Sequence, residues 1–175
     1  MESKILPIQN SYWVIPGRFR AGEHPAIGSV DGTRLKIRWL LAQGINFILD
    51  LTESGEADAN YPTYIFNVST ALNKPIIYKR FPIQDWSTPS HENMVKILDM
   101  VEETLSEGKN IYLHCYGGLG RTGLTVGCYL GSHGIQGYQA LVKIAVLRNK
   151  IPGEQKKSPE TEKQRRMVLE WIKEQ

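Results

Sequence analysis

An α/β fold with a central, mostly parallel sheet flanked by helices is what this sequence predicts, and three observations predict it. Short β-type runs alternate with helical patterns along the whole chain. The apolar run IYLH at 111–114 leads straight into a glycine-rich turn and then a second apolar, helical stretch. The sequence has 175 residues, 41% of them hydrophobic and 22% charged, which suits one domain core spanning 1–175 and leaves little room for two.

Element by element, Tyr12 to Ile15 and Phe19 to Gly22 flank Pro16-Gly17 and read as a hairpin or a strand and turn. Thr33 to Gln43 carries Leu35, Ile37, Leu40 and Leu41 at helical positions, with Gly44 as its stop. Asn46 to Leu51 is a short apolar run of the buried-strand type. Residues 52–74 are punctuated by Glu, Asp, Gly and Asn and carry no assigned element before a strand near Ile76 to Phe81. Thr88-Pro89-Ser90 signals a helix start, and Met94, Ile97, Leu98, Val101 and Leu105 recur at helical spacing up to Gly108. After the strand at 111–114, helices are expected from Arg121 to His133, Tyr138 to Asn149 and Pro159 to Lys173.

Composition narrows the function classes. Lys and Arg number 21 against 18 Asp and Glu, a net charge of +3. That excess is too small to argue for a nucleic-acid partner, yet it does not repel an anionic substrate. Two cysteines cannot make a disulfide scaffold, and their scarcity fits a reducing compartment. No apolar run approaches the roughly 18 residues of a membrane helix, and the first residues lack the apolar stretch of a signal peptide. A cytoplasmic, monomeric protein without membrane span is therefore expected. Between 148 and 166 the bases Arg148, Lys150, Lys156, Lys157, Lys163, Arg165 and Arg166 outnumber the acids, a pattern read first as a solvated loop and helix face.

The chemistry concentrates in IYLHCYGGLGRTG, residues 111–123. Gly117, Gly118 and Gly120 let the backbone curl so that its N–H groups converge in one concavity. Such a nest on a helix N-terminus favours a dianionic oxyanion. Arg121 adds a fork suited to two phosphate oxygens at once. The same positive potential favours a thiolate, so Cys115 reads as a nucleophile facing phosphorus. A tight turn holding a buried cysteine is the bland alternative. Cysteine, five residues, arginine and threonine after an apolar strand make it the weaker one.

HCYGGLGRTG resembles the phosphate-binding loop of cysteine-dependent protein phosphatases, and the chain looks like their small dual-specificity branch. CYGGLGR is similar to the wording of kinase-associated (cyclin-dependent-kinase-inhibitor-3-like) phosphatases, and WVIPGRFRAGEHP resembles their first strands more weakly. The resemblance covers about Tyr12 to Trp171, with only the loop highly specific. It implies a dual-specificity-phosphatase fold and hydrolysis of phosphotyrosine, extending to phosphoserine and phosphothreonine, with a phosphorylated protein or peptide as partner and no cofactor or metal. Phosphate would be held by Tyr116, Gly117, Gly118, Leu119, Gly120 and Arg121.

The same resemblance implies a general acid about 30 residues before the nucleophile, where Asp85 stands in RFPIQDWSTPS; its alternative is a turn or capping residue. Trp86 beside it either covers the site or packs. Thr122 would donate to the Cys115 sulfur, and His114 would brace the loop. Gln164, in SPETEKQ, either places a second water or is a solvated helix residue. Cys128 reads as core, with a disulfide to Cys115 left open under oxidation. His24, His91 and His133 read as surface or capping residues, and Arg80 and Arg148 as candidates for the mouth of the site.

Three rival readings are weighed. A phosphoinositide phosphatase usually carries lysines in the loop, whereas Tyr116 to Gly120 is uncharged. A rhodanese-like sulfurtransferase has no use for Arg121-Thr122 or an acid at Asp85. A phosphate-binding pseudoenzyme would usually have lost Cys115, Arg121 or the acid.

Overall fold

The structure, a computed structural model, describes residues 6–151 and 156–172. Its sheet consists of β1 (Ser11–Ile15), β2 (Phe19–Gly22), β3 (Phe47–Asp50), β4 (Ile77–Arg80) and β5 (Ile111–His114). The strand order is β1-β2-β5-β3-β4. β1 and β2 pair antiparallel, while β2–β5, β5–β3 and β3–β4 are parallel, so the mostly parallel sheet is present. Gly17 turns the β1–β2 hairpin at a φ of 72°, a conformation glycine adopts without steric penalty.

Helices α1 (Val30–Ala42) and α2 (Tyr61–Ala71) cover one face of the sheet; α3 (His91–Ser106), α4 (Gly120–Ser132), α5 (Tyr138–Arg148) and α6 (Glu162–Leu169) build the other layer. The strands' period of two divides the core. Phe19, Ala21, Phe47, Leu49, Ile111 and Leu113 pack with Met94, Ile97 and Leu98 of α3 and Leu124 of α4. Ile48 and Tyr112 point the opposite way, against Ile37 and Leu40 of α1 and Tyr61 and Ile65 of α2. No helix among the described residues is long and apolar enough to cross a membrane.

Several expectations change. α2 occupies part of the stretch to which no element was assigned, because Pro62 is tolerated in its first turn and Tyr61, Ile65 and Val68 share a buried stripe. α1 starts at Val30, three residues early, where the Ser29 side chain accepts from Gly32 N; Leu35 lies on its outer face, 58% exposed. α6 is shorter than the expected 159–173. Thr161 caps the helix reciprocally with Gln164, so the helical turn begins only at Glu162. Lys173 lies outside the described residues. Cys128 is fully buried, and burial pushes its thiol well above the ordinary range, consistent with the core reading; both cysteines are free.

Register decides what meets at the carboxyl edge. Gly22 pairs with His114, His114 with Asp50, and Asp50 with Arg80, so four residues from four strands form one row. The carboxyl ends of parallel strands are where α/β sheets bind ligands.

α4 is held against α6 by small residues. A Cβ on Gly127 would lie 2.5 Å from Val168 Cγ2, and Val168 is fully buried and β-branched, with little rotamer freedom. Gly127→Ala should therefore lower stability by about 1–3 kcal/mol through overpacking, although alanine is favoured over glycine in a free helix by roughly 0.5–1 kcal/mol. The urea midpoint should fall and partly recover in Gly127→Ala/Val168→Ala. A midpoint that rises in the single variant would refute the close packing.

Candidate active site

The loop between β5 and α4 is shaped by what holds its carbonyl oxygens. His114 Nδ1 reaches Cys115 O at 3.1 Å, His24 N donates to Tyr116 O at 2.9 Å, and Asn10 Nδ2 donates to Gly117 O. Arg148 Nη1 donates to Gly118 O at 3.2 Å and Ser158 Oγ to Leu119 O at 2.8 Å. Five successive carbonyls are thus drawn outward. A trans peptide sets each N–H opposite the preceding C=O, so the N–H groups of 116–120 are turned toward the concavity. Gly118 has a φ of 72°, and a Cβ there would come within 2.5 Å of Glu23 N and Gly22 C, backbone atoms that cannot swing aside.

Cys115 is buried at the floor of an open recess of about 190 Å³ lined by Asp85, Trp86, Tyr116, Gly120, Arg121 and Glu160, among others. Its backbone N donates to Thr122 Oγ1 at 2.9 Å, and the same hydroxyl lies 3.1 Å from Cys115 Sγ and 3.3 Å from Gly22 O. A hydroxyl has one proton, and a thiolate is the stronger claimant for it.

Arg121 enters the recess already clamped. Its Nη1 and Nη2 donate to Glu56 Oε1 and Oε2 at 2.6 and 2.7 Å, Nη1 also to Ile83 O at 3.0 Å, and Nη2 lies 3.0 Å from Asp85 Oδ1. Burial opposes the charge, but the Glu56 hydrogen bonds raise the guanidinium's pKa above its ordinary value. Glu56 in turn is lowered: burial works against its carboxylate, and the Arg121 hydrogen bond overcomes it. Asp85 is half exposed and accepts from Trp86 N at 3.0 Å; Trp86 has a φ of 58° and holds its ring 63% exposed at the lip.

Cys115, Tyr116, Gly117, Leu119, Gly120, Arg121 and Asp85 all line one recess. Thr122, His114 and Gly118 stand behind it. Gln164 is buried, not solvated: its Oε1 accepts from Thr161 N and its Nε2 donates to Ser87 O, both at 3.1 Å, which ties α6 to the segment carrying Asp85. Arg148 is buried under the loop and Arg80 binds Asp50 Oδ2 at 3.3 Å, so neither forms the mouth.

Burial likewise corrects the surface reading of His24. Its Nδ1 accepts from Ala26 N at 3.0 Å, leaving the ring proton on Nε2, 3.9 Å from Asp50 Oδ2. Asp50 also accepts from Thr52 N and Oγ1 and from Tyr78 OH. His24, Asp50 and His114 offer ligand atoms within 4.8 Å of one another, a cluster that sequence spacing did not reveal. His24 Nε2 and His114 Nδ1 stand 3.9 and 3.8 Å from the Asp50 carboxylate, beyond hydrogen-bond reach, while His114 Nδ1 spends its proton on Cys115 O; the cluster braces the loop through that contact. Glu56 and Asp50 escaped the sequence reading because each is remote in sequence from the loop. The one available signal was their place, at or just beyond the end of the apolar run NFILDL.

A strand feeding a cysteine, an N–H cradle and a buried arginine into a helix N-terminus defines a cysteine-dependent phosphatase domain. The model of the Swiss Army Knife protein, DSP-PTPase phosphatase domain (PTP-SAK) matches residues 8–170, and the chain belongs to that family. Among curated proteins, an uncharacterized protein of Methanocaldococcus jannaschii is 29% identical over 99 residues, covering 57% of this chain and 60% of its own length. The putative tyrosine phosphatase 067L of invertebrate iridescent virus 3 is 34% identical over 99 residues, covering 54% of this chain and 38% of its own. The matched stretch therefore spans only part of the length of these relatives. The crystal structure of Tk-PTP in its active form superposes with a TM-score of 0.71 at 25% identity, over 93% of this chain and 98% of that one.

The brace behind the loop has a pH signature. Burial, with His114 nearby, pulls the His24 pKa from 6.5 down to about 3. Asp50 moves from 3.8 to about 2, because the facing His114 and the Thr52 and Tyr78 hydrogen bonds outweigh its burial. Between pH 6.5 and 3 the unfolded chain takes up a proton at His24 that the folded chain refuses, so stability falls as pH falls through that window. Asp50 adds to the loss as pH drops below about 4 toward 2. His24→Gln should flatten the dependence between pH 5 and 6 by up to one proton, about 1.4 kcal/mol per pH unit. Urea unfolding across that range measures it, and an unchanged slope would show that His24 is not held neutral.

Proposed function

We propose that this protein hydrolyses phosphomonoesters on protein side chains, phosphotyrosine and also phosphoserine and phosphothreonine, through a cysteinyl-phosphate. The observation that carries the reading is the convergence of Cys115, the N–H groups of 116–120, Arg121 and Asp85 on one recess of about 190 Å³. The exposed rings of Trp86 and Tyr116 supply flat apolar faces beside it, suited to an aryl group.

In the first step the Cys115 thiolate attacks phosphorus opposite the leaving oxygen. The S–P bond forms, the P–O bond breaks, and Asp85 gives its proton to the departing alkoxide or phenolate. Loop N–H groups and Arg121 hold the equatorial oxygens, so most of the acceleration is positioning and electrostatics. In the second step water attacks phosphorus, Asp85 takes a proton from it, and the S–P bond breaks to release inorganic phosphate. Thr122 Oγ1, 3.1 Å from Sγ, stabilises the returning thiolate. Gln164 serves as a positioning residue for the Asp85 segment, through its bond to Ser87 O.

Cys115→Ser should abolish turnover of an aryl phosphate while circular dichroism shows an intact fold; undiminished turnover would sink the mechanism. Asp85→Ala should lower kcat by about 10²- to 10⁴-fold for alkyl or phenyl leaving groups, and far less for a nitrophenolate that departs without a proton. An equal loss across a leaving-group series would remove Asp85 from the role of acid.

A further inference from the structure

A second recess of about 200 Å³ lies behind the catalytic loop, lined by Ala145, Arg148, Lys156, Lys157, Ser158 and Arg165. Four of the six lining residues are cations and none is an acid. Lys157 also pairs with the exposed Glu162, so the recess is not electrostatically isolated. The geometry points to a phosphate-binding subsite here. Its ligand is either a further phosphate group of a multiply phosphorylated substrate or a free phosphoanion.

Two features distinguish the recess from a scatter of surface lysines. Arg148 is 5% exposed, with its guanidinium 5.5 Å from the Tyr12 ring and Nη1 bonded to Gly118 O. Ser158 is buried as well, with Oγ bonded to Leu119 O. Two of the lining groups therefore hold two successive carbonyls of the catalytic loop. The recess also adjoins the catalytic one. Ser158 lines the basic recess and Glu160 the catalytic one, and two residues span at most about 7 Å of extended chain. A dianion among these side chains offsets the mutual repulsion of the four cations and fixes the groups that hold the loop in shape.

The inference deepens the phosphatase reading by naming a class of ligand, and its test separates the two. Inorganic phosphate titrated into the whole protein, followed by backbone amide resonances, should shift two sets of residues, 116–121 and 158–165. In Lys156→Ala/Arg165→Ala, both exposed or half-buried positions, the second set should stay still while the first moves as before. Shifts confined to the loop in the wild type, or shifts of residues 158–165 that persist in the variant at the same phosphate concentrations, would overturn the subsite.

The ligand's source follows from peptides carrying phosphotyrosine with and without a second phosphorylated residue two to four positions away. A roughly tenfold advantage in kcat/KM for the doubly phosphorylated peptide, lost in the variant, assigns the subsite to substrate. Equal rates together with the second set of shifts assign it to a free phosphoanion. Hydrolysis of a small aryl phosphate should match in both proteins. Its absence from the wild type would count against the phosphatase reading and leave the phosphate titration to decide the subsite.

Discussion

Everything at the site depends on the outward anchoring of the loop's carbonyl groups. A curled backbone left to itself turns polar atoms in both directions, and an anion would meet oxygen as often as hydrogen. Here the carbonyls of residues 115–119 each have a donor outside the recess: His114, the His24 backbone, Asn10, Arg148 and Ser158. The donors come from β5, the chain before β1, the chain after β2, α5 and the segment before α6. Nearly every layer of the fold is thus recruited to polarise one short turn. That explains why a motif this short needs a whole domain around it.

The row at the carboxyl edge extends the same logic one layer back. Asp50 stands beside His114 because β3 and β5 pair in parallel register, and Arg80 stands beside Asp50 because β4 continues that register. His114 then reaches the Cys115 carbonyl, so the register of three strands is transmitted to the base of the nucleophile. Burying a carboxylate here is tolerable because Thr52, Tyr78 and Arg80 all donate to it.

How much of this was legible in the sequence follows from the range of each interaction. Contacts within a few residues leave a local signature. The β5 run, the glycines of the loop, the Ser90 cap of α3 and the hairpin at Pro16-Gly17 are all of that kind. Glu56 is 65 residues from Arg121, and Arg148 is 30 from Gly118, so neither pairing leaves any periodic trace. α2 was obscured for a different reason. Its buried stripe is short, with the polar Ser69 among its buried residues, and the acidic, glycine-bearing stretch before it reads as loop. Gln164 looked like an ordinary polar helix residue because a capping box uses the same letters as a solvated first turn.

The guanidinium geometry of Arg121 connects this architecture to the proposed chemistry. Glu56 occupies the edge formed by Nη1 and Nη2, and Ile83 O takes a further share of Nη1. The fork's other edge, Nε with the second proton of Nη2, is the one left to face a phosphate, and Asp85 Oδ1 stands 3.0 Å from Nη2. In the proposed reaction a phosphate dianion binding bidentately on that edge would take the place of Asp85 there. Glu56 keeps the planar group aimed while this exchange happens, so Arg121 need not reorganise. Asp85 is half exposed and otherwise held by the Trp86 N–H, so on the proposed mechanism the arriving phosphate would release it from the guanidinium. On that mechanism the ligand itself would free the carboxyl for the leaving oxygen, and the proposed acid would come into play only when there is something to protonate.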